Sequence, residues 1–324
     1  MIASGWEAEN KLVHDKGEES NGNTAVSWEE GEGEEEVGLY RRGFETIVFL
    51  PDTILVNEPS LREKTHKYLM ILRSLAIFRV DKLIIYHDPL YRGSIGSDRE
   101  LIGKLHRYYL TPPYLRRKLL PLDPMLRYVG AAPPLRLLIH SVGDKPCIGE
   151  YRVGLVMESR GDHVVVDAGL RRNVIVKCLS KCPGRGGLIV FKLVGARPLE
   201  GLYRRDYGSR VYVGPELEYR RDLPGTIQRL RSNGYYVIAT SRYGVEVNMD
   251  LLENLANKLK RGYRGVAIAF GAPYYGLYEI FRGYSCSLED YVDNVLNTLP
   301  RQGTRTVRTE EALHSTLTII NLII

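Results

Sequence analysis

The sequence predicts an α/β protein: a mainly parallel sheet flanked by helices and interrupted by a small inserted β-barrel. Two observations carry that reading. Apolar runs alternate with helical periodicity in both the first and the last third of the chain, the texture of strand–helix–strand units. Between them, residues 151–213 change to short alternating segments separated by glycine turns, the texture of a small barrel. A chain of 324 residues, 44% of them hydrophobic, is long enough to build both units.

The first strand is expected at 46–50 (Thr-Ile-Val-Phe-Leu), stopped by Pro51. A capping box follows, with Ser60 as N-cap and Glu63 three residues on. Leu61, Tyr68, Leu69, Leu72, Leu75 and Ala76 then recur on one helical face. Residues 82–86 read as the next strand, and 98–109 and 113–120 as basic helices. Residues 121–146 are proline-rich and aperiodic. Barrel strands are expected at 151–157, 163–167, 173–177, 188–194 and 210–213. The α/β texture returns with a helix at 223–232 carrying Pro224 in its first turn. A strand at 235–240, a helix at 249–261, a strand at 265–270, a helix opening over 273–281, a strand at 291–296 and a last helix from 312 complete the order. Domain bounds follow: an acidic tail over 1–42, a split α/β domain over 43–135 and 214–324, and an insertion over 136–213.

Charge is unevenly placed. Residues 1–38 hold eleven acidic and two basic residues, whereas the remainder holds 43 basic and 28 acidic. The tail has too little apolar surface to order itself and is expected to be disordered. A body at +15 favours a polyanionic partner such as nucleic acid, with a charge-rich thermophile surface as the alternative. No apolar run reaches the ~20 residues that cross a bilayer, and the N-terminus lacks the signs of a signal peptide. Cys147, Cys178, Cys182 and Cys286 are too few for a disulfide framework, and the Cys178/Cys182 spacing has no second ligand pair for zinc. The expectation is a cytoplasmic protein without a membrane segment or metal.

Three strands in the second half are expected to end in glycine-bearing polar loops. These are 240–244 (Thr240, Ser241, Arg242, Gly244), 271–277 (Gly271, Ala272, Pro273, Gly276, Leu277) and 297–310. Ligands bind outside the carboxyl ends of parallel strands, and glycine lets backbone approach them closely. Neither a dinucleotide nor a P-loop fingerprint is present. The third loop is the densest, with Asn297, Thr298, Leu299, Pro300, Gln302, Gly303, Thr304, Arg305, Val307, Arg308 and Thr309. A basic surface loop before a capped helix is the plain alternative.

That last segment, Pro-x-Gln-Gly-Thr-Arg-Thr-Val-Arg-Thr-Glu-Glu-Ala, resembles the final motif of the SPOUT-class RNA methyltransferases, in the branch shared by archaea and eukaryotes. Residues 111–119, 130–134, 240–244 and 271–273 match further pieces in the expected order, so the resemblance covers about 43–324. It implies a SPOUT-type sheet ending in a deep trefoil knot, S-adenosylmethionine as methyl donor, a homodimer, and an OB-like insertion where the β-rich segment lies. It implies that the three loops cradle the cofactor, with Pro300 and Gln302 shaping the adenosine pocket and Thr309 capping the last helix. Arg305 and Arg308 become candidates at the methyl acceptor, with salt bridges to Glu310 or Glu311 as the alternative, and Asn57 a further candidate. No base is assigned. Arg116, Arg117, Lys118, Arg171 and Arg172 would grip RNA, the alternative being a solvated face. Ribosomal RNA is the expected substrate, methylated at a uridine base nitrogen. A tRNA substrate and an inactive RNA-binding assembly factor stay open.

Overall fold

A computed structural model describes residues 38–131, 133–140 and 145–324. The acidic run at 29–36 lies outside the described residues. Strand β1 (Glu45–Pro51) leads to α1 (Leu61–Ile77), whose N-cap Ser60 and Glu63 form the expected reciprocal box. Then come β2 (Lys82–Tyr86), α2 (Gly96–Leu110) and α3 (Pro113–Leu119). The barrel strands are β3 (Tyr151–Arg160), β4 (His163–Asp167), β5 (Val174–Cys178), β6 (Leu188–Ala196) and β7 (Leu199–Tyr203). A single turn α4 (Tyr207–Arg210) returns the chain to β8 (Glu216–Arg220), α5 (Leu223–Ser232), β9 (Tyr235–Glu246), α6 (Met249–Gly262), β10 (Gly265–Ala269), α7 (Leu277–Gly283), β11 (Asn294–Asn297) and α8 (Thr309–Asn321).

Six strands pair in parallel in the order β11-β9-β10-β1-β2-β8. The period-2 pleat divides their side chains between two cores. Val48, Leu50, Leu83, Ile85, Ile238 and Ile268 face α1, α2, α6 and α8. Ile47, Phe49, Ile84, Val237, Ala267 and Ala269 face α5 and α7. Covering both faces explains why these strands read as continuous apolar runs rather than alternating ones. Gly265 lets β10 approach β1: a Cβ there would stand 2.3 Å from the Glu45 carbonyl oxygen.

The insertion closes into a five-stranded barrel, β3-β4-β5-β7-β6, with β6 pairing back onto β3. All pairs are antiparallel except β5 with β7, an arrangement that fits the OB-like expectation. The barrel sits on α3, where Tyr114 donates to the Val153 carbonyl at 2.7 Å and its ring meets Gly169.

Several expectations need correction. The fifth barrel strand is 199–203, not 210–213. Its Gly201 packs under Phe191, so the segment carries little apolar signal. Val211 and Tyr212 are apolar because they bury against the α/β core, Val211 bridging Tyr40 and the Tyr212 hydroxyl donating to the Val80 carbonyl at 3.0 Å. Residues 240–244 are not a loop after a strand but belong to β9. The helix expected from 273 starts at Leu277, and the strand expected at 291–296 is shifted to Asn294–Asn297, after a short 3-10 turn at Leu288–Asp290. Thr309 does not cap the last helix: Arg308 occupies the N-cap, and the Glu311 carboxylate accepts from its N–H at 2.8 Å. Cys178 and Cys182 form a disulfide within the barrel. Among the described residues no helix is long and apolar enough to cross a membrane.

Two buried histidines tie helices to loops. The His106 Nε2 faces the Pro215 carbonyl at 2.9 Å and its Nδ1 the Tyr68 hydroxyl at 2.7 Å; the His140 Nε2 faces the Leu110 carbonyl at 3.1 Å. Burial pushes both imidazoles down to about 4. Each stays neutral in the fold where the unfolded chain is already protonated, so stability is lost as pH falls from about 6.5 towards 4. Denaturant unfolding is expected to show about 2 kcal/mol less stability per histidine at about pH 5 than at about pH 7, and His106→Gln to flatten that slope.

Candidate functional site

The site begins with an irregularity in the ladder between β9 and β11. Ala239 pairs with Val295, but the next pair is Val245 with Leu296, so residues 240–244 bulge out of β9. Gly244 makes the return possible: a Cβ there would stand 2.7 Å from the Val295 carbonyl oxygen and 2.8 Å from Leu296 backbone. Asn297 then locks the bulge, its side-chain amide donating to the Arg242 carbonyl at 3.2 Å while its Oδ1 accepts from Leu299 N–H at 3.1 Å. Thr240 ties the base of the bulge to β10 by donating to the Ala269 carbonyl at 3.0 Å.

The second segment turns tightly after β10, with Ala272 N–H bonded to the Tyr275 carbonyl at 2.8 Å. Gly271 has the Gly276 Cα and the Tyr275 oxygen 3.1 Å from where a Cβ would stand, so it is needed for that approach. Leu277 is buried as the first residue of α7. The third segment runs from β11 to α8. Its left-handed residue is Arg301, φ 58°, rather than Gly303, which has nothing within 4 Å of a would-be Cβ. Gln302 donates to the Thr304 carbonyl at 2.8 Å and Thr304 to the Thr306 carbonyl at 3.0 Å, which folds the loop on itself. Arg242 reaches across to the Arg305 carbonyl at 3.3 Å, and Thr298 meets Thr316 of α8 at 2.8 Å.

These segments close around one cavity of about 460 Å³ at the carboxyl ends of β9, β10 and β11. Asn57, Thr240, Ser241, Arg242, Ala272, Pro273, Gly276, Asn297, Thr298, Leu299, Gln302, Arg305, Val307, Arg308 and Thr309 all line it. Gly244, Gly271, Leu277, Pro300, Gly303 and Thr304 do not line it. Arg305 enters no ion pair among the described residues, whereas the Arg308 guanidinium lies 3.9 Å from Glu310.

Lys67, Glu58, Leu296 and Ala312 also line the cavity, outside the segments that sequence reasoning singled out. Lys67 is 7% exposed, with its ammonium 3.0 Å from Glu58 and 3.7 Å from Glu310. It joins the loop after β1, the middle of α1 and the start of α8. The signal was present: Lys67 shares a helical stripe with Ile71 and Ser74, and a lysine on a buried face requires a partner. His87 and Asp88 belong to a structural cluster in which buried Asp52 accepts from Arg99 at 2.6 Å, from Asp88 N–H at 3.1 Å and faces His87 at 3.0 Å. Among the described residues no group of three or more His, Cys, Asp or Glu could hold a metal ion.

Residues 45–320 match the family model described as "Putative RNA methyltransferase". This chain belongs to that family. It is an RNA methyltransferase. A protein of Haloarcula marismortui without a described function is 31% identical over 289 residues, 86% of this chain and 99% of that relative. The human 28S rRNA (uridine-N(3))-methyltransferase is 26% identical over 84% of this chain and 76% of its own length. The Drosophila melanogaster enzyme of the same name is 25% identical over 82% of this chain and 59% of its own. The family implies a methyl donor and an RNA substrate.

The basic residues expected to grip RNA are not equivalent. Arg116 is turned inward, its Nε donating to the carbonyls of Tyr108 (3.2 Å) and Thr111 (3.1 Å) and its guanidinium stacked 4.4 Å from the Tyr108 ring centroid. Lys118 pairs with Asp167 of the barrel. Arg117, Arg171 and Arg172 are exposed.

Gly244→Ala is expected to cost about 1–3 kcal/mol in denaturant unfolding, because the added methyl meets backbone that cannot move aside. Gly303→Ala, placed in open space, is expected to leave the unfolding midpoint unchanged.

Proposed function

We propose that this enzyme transfers a methyl group from S-adenosylmethionine to a base nitrogen of a uridine in ribosomal RNA, acting as a homodimer with a trefoil-knotted C-terminal segment. The convergence of three backbone segments on one cavity at the strand ends carries this reading. The cavity lies within the range of small-molecule sites, ~300–1,000 Å³. Its walls suit a nucleoside with a zwitterionic tail: the polar residues Thr240, Ser241, Asn297, Thr298 and Gln302, the apolar residues Leu296, Leu299 and Val307, and Tyr274 and Tyr275. The bound cofactor would supply an electrophilic methyl on a sulfonium.

The chain's own residues then have separable tasks. The 240–244, 271–277 and 297–309 segments would orient the cofactor so that its methyl faces the open side of the cavity, where Asn57, Arg305 and Arg308 stand. A guanidinium fork can hold an RNA phosphate or a uracil carbonyl oxygen, and a cation beside uracil favours loss of the N3 proton. Methyl transfer to N3 releases that proton. Glu58 is hydrogen-bonded to Lys67 and Glu310 lies 3.7 Å from it, an arrangement that supports acceptor activation by charge and alignment. Ribosomal RNA is favoured over tRNA by the two relatives named 28S rRNA (uridine-N(3))-methyltransferase.

Two arrangements support the remaining points. After β11 the chain is laced to the β9 bulge through Asn297 and the Arg242–Arg305 contact before α8 packs on α1, the path a knot would need. Beside the cavity, Tyr243, Val245 and Met249 are 70%, 58% and 79% exposed, an apolar patch suited to a second copy.

Titration calorimetry is expected to show one S-adenosylmethionine bound per chain, and ribosomal RNA from cells lacking the gene to lose one methyluridine by mass spectrometry. Arg305→Ala is expected to lower the methylation rate at least tenfold with cofactor affinity unchanged; an undiminished rate removes it from the acceptor site. Arg117→Ala combined with Arg172→Ala is expected to weaken RNA binding several-fold in fluorescence anisotropy without altering cofactor binding, and unchanged affinity removes those two from the RNA path.

A further inference from the structure

A second cavity, of about 580 Å³, lies at the other end of α1 from the methyl site. Four arginines line it: Arg42 before β1, Arg73 on α1, Arg79 in the turn after α1, and Arg136 in the segment that leads to the barrel. Among the described residues no carboxylate lines it. Two of the four hold left-handed backbone, Arg79 at φ 50° and Arg136 at φ 47°, although such conformations cost a non-glycine residue about 1 kcal/mol or more. Arg79 takes this conformation as the residue that closes the end of α1, with its N–H bonded to the Ala76 carbonyl and the Val80 N–H to the Leu75 carbonyl. Arg79 and Arg136 both carry guanidiniums to one cavity from separate loops. Three of the arginines are anchored by hydrogen bonds, Arg73 to the Pro134 carbonyl at 2.6 Å, Arg79 to the Tyr40 carbonyl at 3.3 Å, and Arg42 to Asn321. Burial and the nearby Arg79 charge hold Arg42 below its usual value, against the opposing pull of Asp81. Four guanidiniums gathered around one cavity are a site that an anion stabilises.

We infer that this arginine cavity is a second RNA-binding site, which takes backbone phosphates of the substrate away from the methylated base. The inference rests on the RNA methyltransferase activity and extends it to a surface remote from the chemistry. Guanidinium forks match phosphate oxygens bidentately. The rim favours a nucleotide over a purely anionic partner: Ile77 is 56% and Leu138 58% exposed beside the arginines, and together they offer an apolar surface to a base or ribose. The acidic run 29–36 contains only Glu and Gly, and so matches the charge but not that rim. The placement also suits one ligand spanning both sites. Lys67 of α1 and Thr309 of α8 line the methyl cavity, whereas Ile77 of α1 and Asn321 of α8 line the arginine cavity. Along the helix axes those separations are roughly 15 and 18 Å.

The test uses the full chain and fluorescein-labelled oligouridylate, with affinity measured by anisotropy across a range of salt. Arg73→Gln with Arg136→Gln is expected to weaken binding about tenfold and to reduce the slope of log K against log salt by about 1.4, the loss of two single-strand phosphate contacts. S-adenosylmethionine binding by calorimetry stays unchanged, so a protein that fails to bind cofactor at all counts against the proposed function and not against this site. Arg136→Gln alone leaves the Arg73–Pro134 hydrogen bond intact and gives about half the slope change, which keeps the test decisive if the double variant unfolds. Unchanged affinity and slope overturn the inference. So does an effect seen only while the six glutamates of 29–36 are present and lost when they are changed to Gln, because the cavity then serves the acidic run.

Discussion

The departure of β9 from its ladder is the constraint on which the candidate site depends. Between Ala239 and Val245 the chain adds residues that β11 does not match, and the sheet absorbs them only because Gly244 can lie against the backbone of Val295 and Leu296. The bulge aims Thr240, Ser241 and Arg242 over the strand ends instead of into the two cores. It also creates the carbonyl that Asn297 captures, so that the terminal loop is held by β9 before α8 begins. Without this irregularity the third segment would have no neighbour on that side of the cavity.

Polar groups buried around the cavity act as a frame. Lys67 spans Glu58 and Glu310, which makes the relative position of α1, α8 and the loop after β1 a matter of charge pairing as well as of apolar packing. The Asp52 cluster does the same for the end of β1 against α2 and the loop after β2. Because both clusters lie at strand ends, loops that would otherwise be free to drift are anchored to the rigid sheet, a condition for aligning a methyl donor with its acceptor.

Much of this was legible in the sequence. The doubly covered strands read as unbroken apolar runs, the Ser60–Glu63 box marked the start of α1, and the change of period located the barrel. What escaped has identifiable causes. The 240–244 segment reads as a turn because Ser and Gly are turn residues, and only the resumption of pairing at Val245, with a strand some fifty residues later, shows that the chain returns to the sheet beyond it. The strand at 199–203 escaped because Gly201 is chosen for its closeness to Phe191, which erases the apolar signal there. Val211 and Tyr212 misled for the opposite reason, as apolar residues serving a different core. For the cavity, the polar loops could be assembled from motif order; Lys67 showed only as a lysine on a buried helical stripe, and its place at the cavity depends on Glu58 and Glu310, which other elements bring to it. Arg116 looked like its neighbours in sequence, yet the Tyr108 ring and two carbonyls claim it.

The side-by-side packing of α1 and α8 has a geometric corollary. Ser74 meets His314 at 3.0 Å and the rings of Phe78 and His314 meet edge-on, while Lys67 faces Glu310 nearer the start of both helices, so the two helices run in the same direction and reach both cavities. Helices are stiff along their length, with a fixed rise per residue. The pair therefore works as a ruler: the spacing between the two cavities is graduated in helical turns, and neither loop movement nor side-chain rearrangement at either end can alter it.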